Sequence, residues 1–351
     1  MYHKRIKKFP DNFLFGAGTS SFQVEGGIKE GGRGTAVHDL KKPKKGITDF
    51  SVASDHYHRF EEDIDLMKEL GLDSYRFSIS WTRILPDGKN INEEGVEFYN
   101  RLIQKLTDSE IKPIVTIYHF EYPKALVDNY KGWLSRESID DYVNFAGILF
   151  ENYGDRVKYW LTINEQDHLL KIPERIGFSE EMTGLEYERN AQIANYNMCV
   201  AGARVVKLCH EMIPDAKIAP VVNPMPAIPA SNLPADLIAS IEFNELATYY
   251  ILDLNCRGEY SPVYRKYLED RDIFPQINDE DMKLMRDNPP DFIAVNYYMN
   301  QTAADSDKEE INLRGRGVFV SEEEGIYKIV KNEHIPQTDW GWNICPEGLK
   351  I

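Results

Sequence analysis

Apolar, β-branched and aromatic residues gather in six short runs, at 13–23, 74–81, 112–120, 158–165, 217–223 and 291–298, with helical periodicity between them. In "KYWLTINEQ" (158–166), Tyr159, Leu161 and Ile163 alternate with Trp160 and Thr162, which predicts a buried strand ending on Asn164, Glu165 and Gln166. The stretch 59–71 places Phe60, Ile64, Leu66, Met67 and Leu70 at helical spacing and stops on Gly71, a helix with a glycine C-cap. Stretches 92–111 and 135–154 repeat the pattern. The mostly apolar stretches 187–214 and 237–255 predict long buried helices. A polar loop at 305–317 leads to 318–330, which reads as a hairpin. Strand–helix alternation of this kind predicts βαβ units and a parallel sheet. No linker or short repeat interrupts it, so 1–351 is expected to form a single domain.

The strand tips separate a doubly wound sheet from a barrel. "GGIKEGGRG" (26–34) fits neither GxGxxG nor the P-loop and reads as an irregular loop. Instead every run closes on polar or aromatic groups: Gln23 and Glu25; Arg76, Ser78 and Trp81; His119 and Glu121; Asn164 and Glu165; Asn223; Asn296 and Tyr298. Chemistry spread over the C-terminal ends of many parallel strands is the mark of a (β/α)₈ TIM barrel. Here about six of the eight strand–helix units are legible. A glutamate at an apolar strand tip is disfavoured in its charged form, and a carboxylic acid of that kind can protonate a leaving group at neutral pH. Glu165 is therefore the candidate catalytic acid.

Composition narrows the partners. A net charge of −16, from 57 acidic and 41 basic residues, argues against nucleic acid or an anionic membrane surface. No run approaches the length of a membrane span, and the basic N-terminus lacks the apolar segment of a secretory signal. Cys199, Cys209, Cys256 and Cys345 show no metal or disulfide spacing and suit a reducing, cytoplasmic setting. His56 and His58 sit beside Asp55 at a helix start with no third ligand in view, so no metal site is expected there. The aromatic residues at 240–260 are expected to fill core.

Six segments, "FPDNFLFGAGTSSFQVEGG" (9–27), 55–86, "YHFEYPKAL" (118–126), "WLTINEQ" (160–166), "DFIAVNYY" (291–298) and "TDWGWNICPEGL" (338–349), resemble glycoside hydrolase family 1. The resemblance implies a retaining β-glycosidase working by double displacement, in which two carboxylates roughly 5–5.5 Å apart act as acid/base and nucleophile. Glu165 matches the acid/base. Gln23, His119 and Asn164 match residues that bind sugar hydroxyls, with Asn164 at the 2-hydroxyl. Arg76 and Tyr298 match residues that flank the nucleophile, and Asn223 a polar position nearer the leaving group. The mechanism implies no metal or organic cofactor.

Two departures matter. The family carries its nucleophile in an "ITENG"-like run after the segment at 338–349, and no such run occurs in this sequence. The resemblance therefore implies a barrel incomplete at the C-terminus, with its nucleophile outside the chain. Six strands would leave two sheet edges whose unpaired backbone groups cost about 1–3 kcal/mol each. Another polypeptide segment completing the barrel, self-association covering the edges, or a natural protein of which this chain is only part would each resolve this, and the last is the favoured expectation. The alternatives are an inactive carbohydrate-binding remnant and one subunit of a split glycosidase. Gln166 stands where most β-glucosidases of the family have proline. With 255–260 and 290–298, it makes the chain most like the bacterial 6-phospho-β-glucosidase branch, which implies a β-glucoside substrate phosphorylated at the 6-position.

Overall fold

The computed structural model describes residues 8–41, 46, 48–169, 172, 176–177, 182, 184–306, 322–323 and 325–350. Among them lie ten strands: β1 (Gly16–Gly18), β2 (Ser74–Ser78), β3 (Lys112–Tyr118), β4 (Tyr159–Asn164), β5 (Lys217–Val222), β6 (Ala227–Pro229), β7 (Ala294–Val295), β8 (Gln301–Ala304), β9 (Glu322–Glu323) and β10 (Tyr327–Ile329). All six expected runs enter one parallel sheet in the order β1-β2-β3-β4-β5-β7, with helices between successive strands. This is the (β/α)₈ architecture with six of its strands in the sheet. Among the described residues β1 pairs only with β2, and β7 only with β5, so the sheet curls but does not close.

The expected helices appear at His56–Glu69, Glu93–Asp108, Glu137–Tyr153 and Gly184–Met212. Gly71 adopts φ +75°, the left-handed conformation that lets a glycine end the first of them. Their apolar faces and the outward faces of the strands build one large core. Tyr250 lies within it and Tyr260 packs against it, as expected for the aromatic 240–260 stretch.

The stretch 237–255 departs from the buried helix its composition suggested. It runs as Pro234–Asn244, a wider π turn at Glu245–Tyr249, and Tyr250–Arg257, with Leu237, Ile238 and Ile241 more than half exposed. The first part serves a different partner. Ala239 and Phe243 pack onto Ala227, Ala303 and Tyr327 of a second sheet, ordered β6-β8-β10-β9. The hairpin read at 318–330 forms its outer half, β9 pairing antiparallel with β10; residues 318–321 and 324 and most of the polar loop lie outside the described residues. β6 and β8 were not legible, because three- and four-residue strands carry too few positions to show a period.

β4 also departs from strict alternation. Leu161 pairs with Ala219 and Asn164 with Val221, so three steps along β4 match two along β5. This is a β-bulge, and it reverses the pleat beyond it. Leu161 faces the interior with Ala219 and Val221, whereas Ile163 joins Trp160 in the core against the helices. Asn164 is thereby turned inward.

Candidate active site

The C-terminal tips of β1 to β5 and β7 surround a cleft of about 820 Å³ that continues down the inner face of the open sheet to Gly16, Ser74 and Ile114. Gln23, Arg76, His119, Glu165, Asn223 and Tyr298 line it, and Asn164 bonds to the residues that do. The structure thus brings all seven sequence-derived candidates to one place.

Glu165 is 6% exposed and adopts φ +45°, left-handed for a residue that carries a Cβ. A regular strand cannot present two consecutive side chains to one face. Here the bulge supplies Asn164 and the left-handed turn supplies Glu165. The turn is held at both ends: the Glu165 N–H donates to Val221 O at 2.8 Å, and His168 N–H donates to Glu165 O at 2.9 Å. Gln166 adds a side-chain clamp, its Nε2 donating to Asn195 Oδ1 at 2.8 Å and to Cys199 Sγ at 3.1 Å.

Around Glu165 the polar groups form one chain. Asn296 Nδ2 donates to Glu165 Oε1 at 2.6 Å and to Asn164 Oδ1 at 3.1 Å. Arg76 donates from Nε to Thr116 Oγ1 (3.0 Å), and from its two terminal nitrogens to Asn296 Oδ1 (3.0 Å) and Asn164 Oδ1 (2.5 Å). Because the Asn164 oxygen accepts from Arg76 and Asn296, its Nδ2 faces His119 Nε2 at 3.2 Å. His119 therefore accepts there and carries its ring proton on Nδ1. Burial lowers the Arg76 pKa, opposed by the nearby charge of Glu165 and by Tyr298. The Tyr298 hydroxyl is pushed up by burial and then by Glu165, with Arg76 acting in the other direction. Asn223 is buried, and its Oδ1 has no hydrogen-bond partner among the described residues, so the cleft holds an acceptor in need of a donor such as a sugar hydroxyl.

Arg76→Lys tests this chain directly. A lysine keeps the charge but cannot reproduce three bonds in fixed directions. Hydrogen bonds to charged groups are worth about 1.5–3 kcal/mol, so kcat/KM should fall about 10- to 100-fold while the thermal midpoint moves little.

Other tip residues lie elsewhere. Trp81 is buried in the aromatic core, and Ser78, Glu25 and Glu121 belong to a polar network behind the cleft. Asn296, Thr116, Met225, His168 and Trp342 join the cleft or its hydrogen bonds, although the sequence marks none of them as a ligand. Asn296 was visible as a strand-tip asparagine, but only the fold shows that it touches Glu165. His56 bonds Asp63, and His58 lies between Asp55 and Glu30. Among the described residues no cluster of three His, Cys, Asp or Glu side chains could hold a metal ion, and no helix is long and apolar enough to cross a membrane. Glu165 is the one carboxylate among the described residues lining the cleft.

A buried carboxyl group on a strand tip, set in a collar of hydrogen-bonding residues, is the kind of site a glycosidase carries. The model of glycosyl hydrolase family 1 matches residues 5–351, and the chain belongs to that family, whose members hydrolyse O-glycosyl bonds. It is 37% identical to the aryl-phospho-beta-D-glucosidase BglC of Bacillus subtilis (strain 168), covering 100% of this chain and 76% of that protein. It is 34% identical to the phospho-cellobiase of Klebsiella oxytoca, covering 98% and 74%. The beta-glucosidase of Thermotoga maritima in complex with deoxynojirimycin superposes with a TM-score of 0.84 at 34% identity, over 98% of this chain and 74% of that one.

Proposed function

We propose that this chain carries the acid/base of a cytoplasmic retaining β-glucosidase whose substrates are 6-phosphorylated β-glucosides. Glu165 protonates the glycosidic oxygen in the first step and deprotonates water in the second. The observation that carries this reading is the buried carboxyl of Glu165, aimed into the cleft by a bulge and a left-handed turn and bonded by Asn296. Gln23, His119 and Asn164 meet the sugar hydroxyls, Asn164 the 2-hydroxyl. Asn223 serves the leaving-group side, and Arg76 with Tyr298 flanks the position of the nucleophile.

The phosphate rests on the likeness to BglC and the phospho-cellobiase, whose names specify phosphorylated glucosides. Such sugars arise inside the cell, which supports a cytoplasmic location. Arg76 is committed to Thr116, Asn164 and Asn296, so the phosphate needs a further cation. Double displacement also needs a second carboxylate roughly 5–5.5 Å from the first. In this reading both come from polypeptide that covers the edges of β1 and β7. Those edges are flanked by exposed Phe9, Phe13 and Phe15 on one side and Ile293 and Val295 on the other. A complementing chain or a second copy would bury them.

The test is hydrolysis of 4-nitrophenyl 6-phospho-β-glucoside beside its unphosphorylated analogue. The expected result is a kcat/KM about 10- to 100-fold higher for the phosphorylated compound, because a charge-assisted phosphate contact is worth about 1.5–3 kcal/mol. Equal rates would remove the phosphate from the proposal. Sugar binding without turnover on either compound would favour a carbohydrate-binding protein.

A further inference from the structure

Behind the cleft wall lies a buried polar network that the chemistry above does not use. Glu121 follows β3 by three residues and is 3% exposed. It reaches three separate segments. Arg33, from the loop after β1, donates to its Oε1 at 3.0 Å, as does Ser80 Oγ, beyond β2, at 3.2 Å. The Ser21 hydroxyl donates to Oε2. Ser21 opens the single helical turn Ser21–Val24, and its N–H is also held by Ser78 Oγ at 2.8 Å. That turn carries Phe22 and Gln23, both on the cleft wall, and Ser20 Oγ donates to Gln23 Oε1 at 2.8 Å. On the other side Glu121 lies two residues from His119, across Phe120, which has φ +73°. One carboxyl thus ties together the supports of two cleft residues that come from different strands.

We propose that Glu121 is a positioning residue for the sugar site, its buried carboxyl docking the Ser21–Val24 turn against the tips of β2 and β3 so that Gln23 and His119 face the substrate. The inference rests on the reading of the cleft as a glycoside site. The charged and titratable groups facing Glu121 are Arg33 and Asp39 from the loop after β1, Glu25 at the end of the turn, Arg83 beyond β2, and Tyr99 from the helix Glu93–Asp108. Arg33 pairs with Asp39 at 2.7 Å and Arg83 with Glu25 at 3.2 Å. Three carboxylates thus share two guanidinium groups, and one proton makes the set neutral. Burial, opposed by Arg33 and reinforced by the charges of Glu25 and Asp39, pushes the Glu121 carboxyl up to about 7. Undocking of the turn admits water and returns the carboxyl toward its ordinary value near 4.3. A group with the higher pKa in the docked state favours docking when protonated. Docking therefore weakens as pH rises from about 4.3 to about 7, by up to tenfold per unit, and levels off above 7.

The test uses the whole 351-residue chain, as wild type, Glu121→Gln and Glu121→Ala. The first readout needs no ligand: hydrogen-exchange protection factors of the Ser21–Val24 amides from pH 5.5 to 8.5, with the helix Glu137–Tyr153 as internal reference. In the wild type, protection should fall about tenfold between pH 5.5 and 7 and level off above pH 7. In Glu121→Gln, a permanently neutral isostere, it should stay flat at the acid level; in Glu121→Ala it should be lost at every pH. The second readout is calorimetric affinity for deoxynojirimycin at pH 8, expected to fall about tenfold in Glu121→Ala and to be kept or improved in Glu121→Gln. Wild-type protection in Glu121→Ala, or the same pH dependence in the wild type and Glu121→Gln, would overturn the proposal. If Glu121→Ala does not fold, the comparison of wild type with Glu121→Gln still decides it. A wild type that ignores deoxynojirimycin would count against the glycoside reading, while the exchange data judge the docking role separately.

Discussion

Glu165→Gln is expected to lower kcat/KM for alkyl β-glycosides by about 10²–10⁴-fold, the usual worth of a positioned general acid. The amide keeps the shape and accepts the Asn296 bond to Glu165 Oε1, so folding and sugar affinity should be little changed. The size of the loss should depend on the leaving group. An alkoxide must be protonated as the glycosidic bond breaks, whereas 2,4-dinitrophenolate is stable enough to leave unaided. For the dinitrophenyl glycoside kcat/KM, which reports the first step, should drop less than about tenfold. A plot of the loss against leaving-group pKa checks this. A uniform loss across the series would show that Glu165 is not the proton donor.

Trp81→Ala should destabilise the folded chain by about 3–5 kcal/mol, a large fraction of a typical domain's total stability. Trp81 is 1% exposed and stacks on Phe145 at 4.9 Å with an interplanar angle of 6°, with Tyr122 packed against it at 5.4 Å. Removing it opens a cavity between the start of the helix after β2 and the helix Glu137–Tyr153. Urea unfolding should show a lower midpoint with an unchanged slope. Deoxynojirimycin affinity of the folded fraction should stay within about twofold of wild type, because Trp81 does not line the cleft. In the sequence Trp81 looked like a strand-tip group in line with Arg76 and Ser78.

That ambiguity shows what a linear pattern can and cannot carry. The six strands were legible because each is apolar enough to be sandwiched between interior and helices, and their tips because polar groups interrupt that run at one end. The family motifs pointed to Glu165, Gln23 and His119. Which tip residue turns inward was less accessible. It depends on backbone events that leave no mark on hydrophobicity: the bulge between Leu161 and Asn164 and the left-handed φ at Glu165. The contact of Asn296 with Glu165 spans 131 positions and exists only once β7 lies beside β5. The Glu121 network was hidden for another reason. Buried ion pairs look like ordinary surface charges until their neighbours enclose them. In "GGIKEGGRG", the positive φ values at Gly26, Gly27, Gly31 and Gly32 bend the loop that delivers Arg33 inward.

The bulge in β4 means that the aim of the site is written in the number of residues rather than in their identities. Replacing Thr162 or Ile163 by other strand-compatible residues leaves the count intact, and Asn164 still turns inward. Adding or removing one residue between Leu161 and Asn164 would change the parity of the strand, setting the inward turn of Asn164 against the pairing with β5. Scanning by substitution is blind to such a feature. A comparison of variants differing in length by one residue would expose it, and a redesign of this cleft that respects every side chain but not this spacing would lose the geometry it set out to keep.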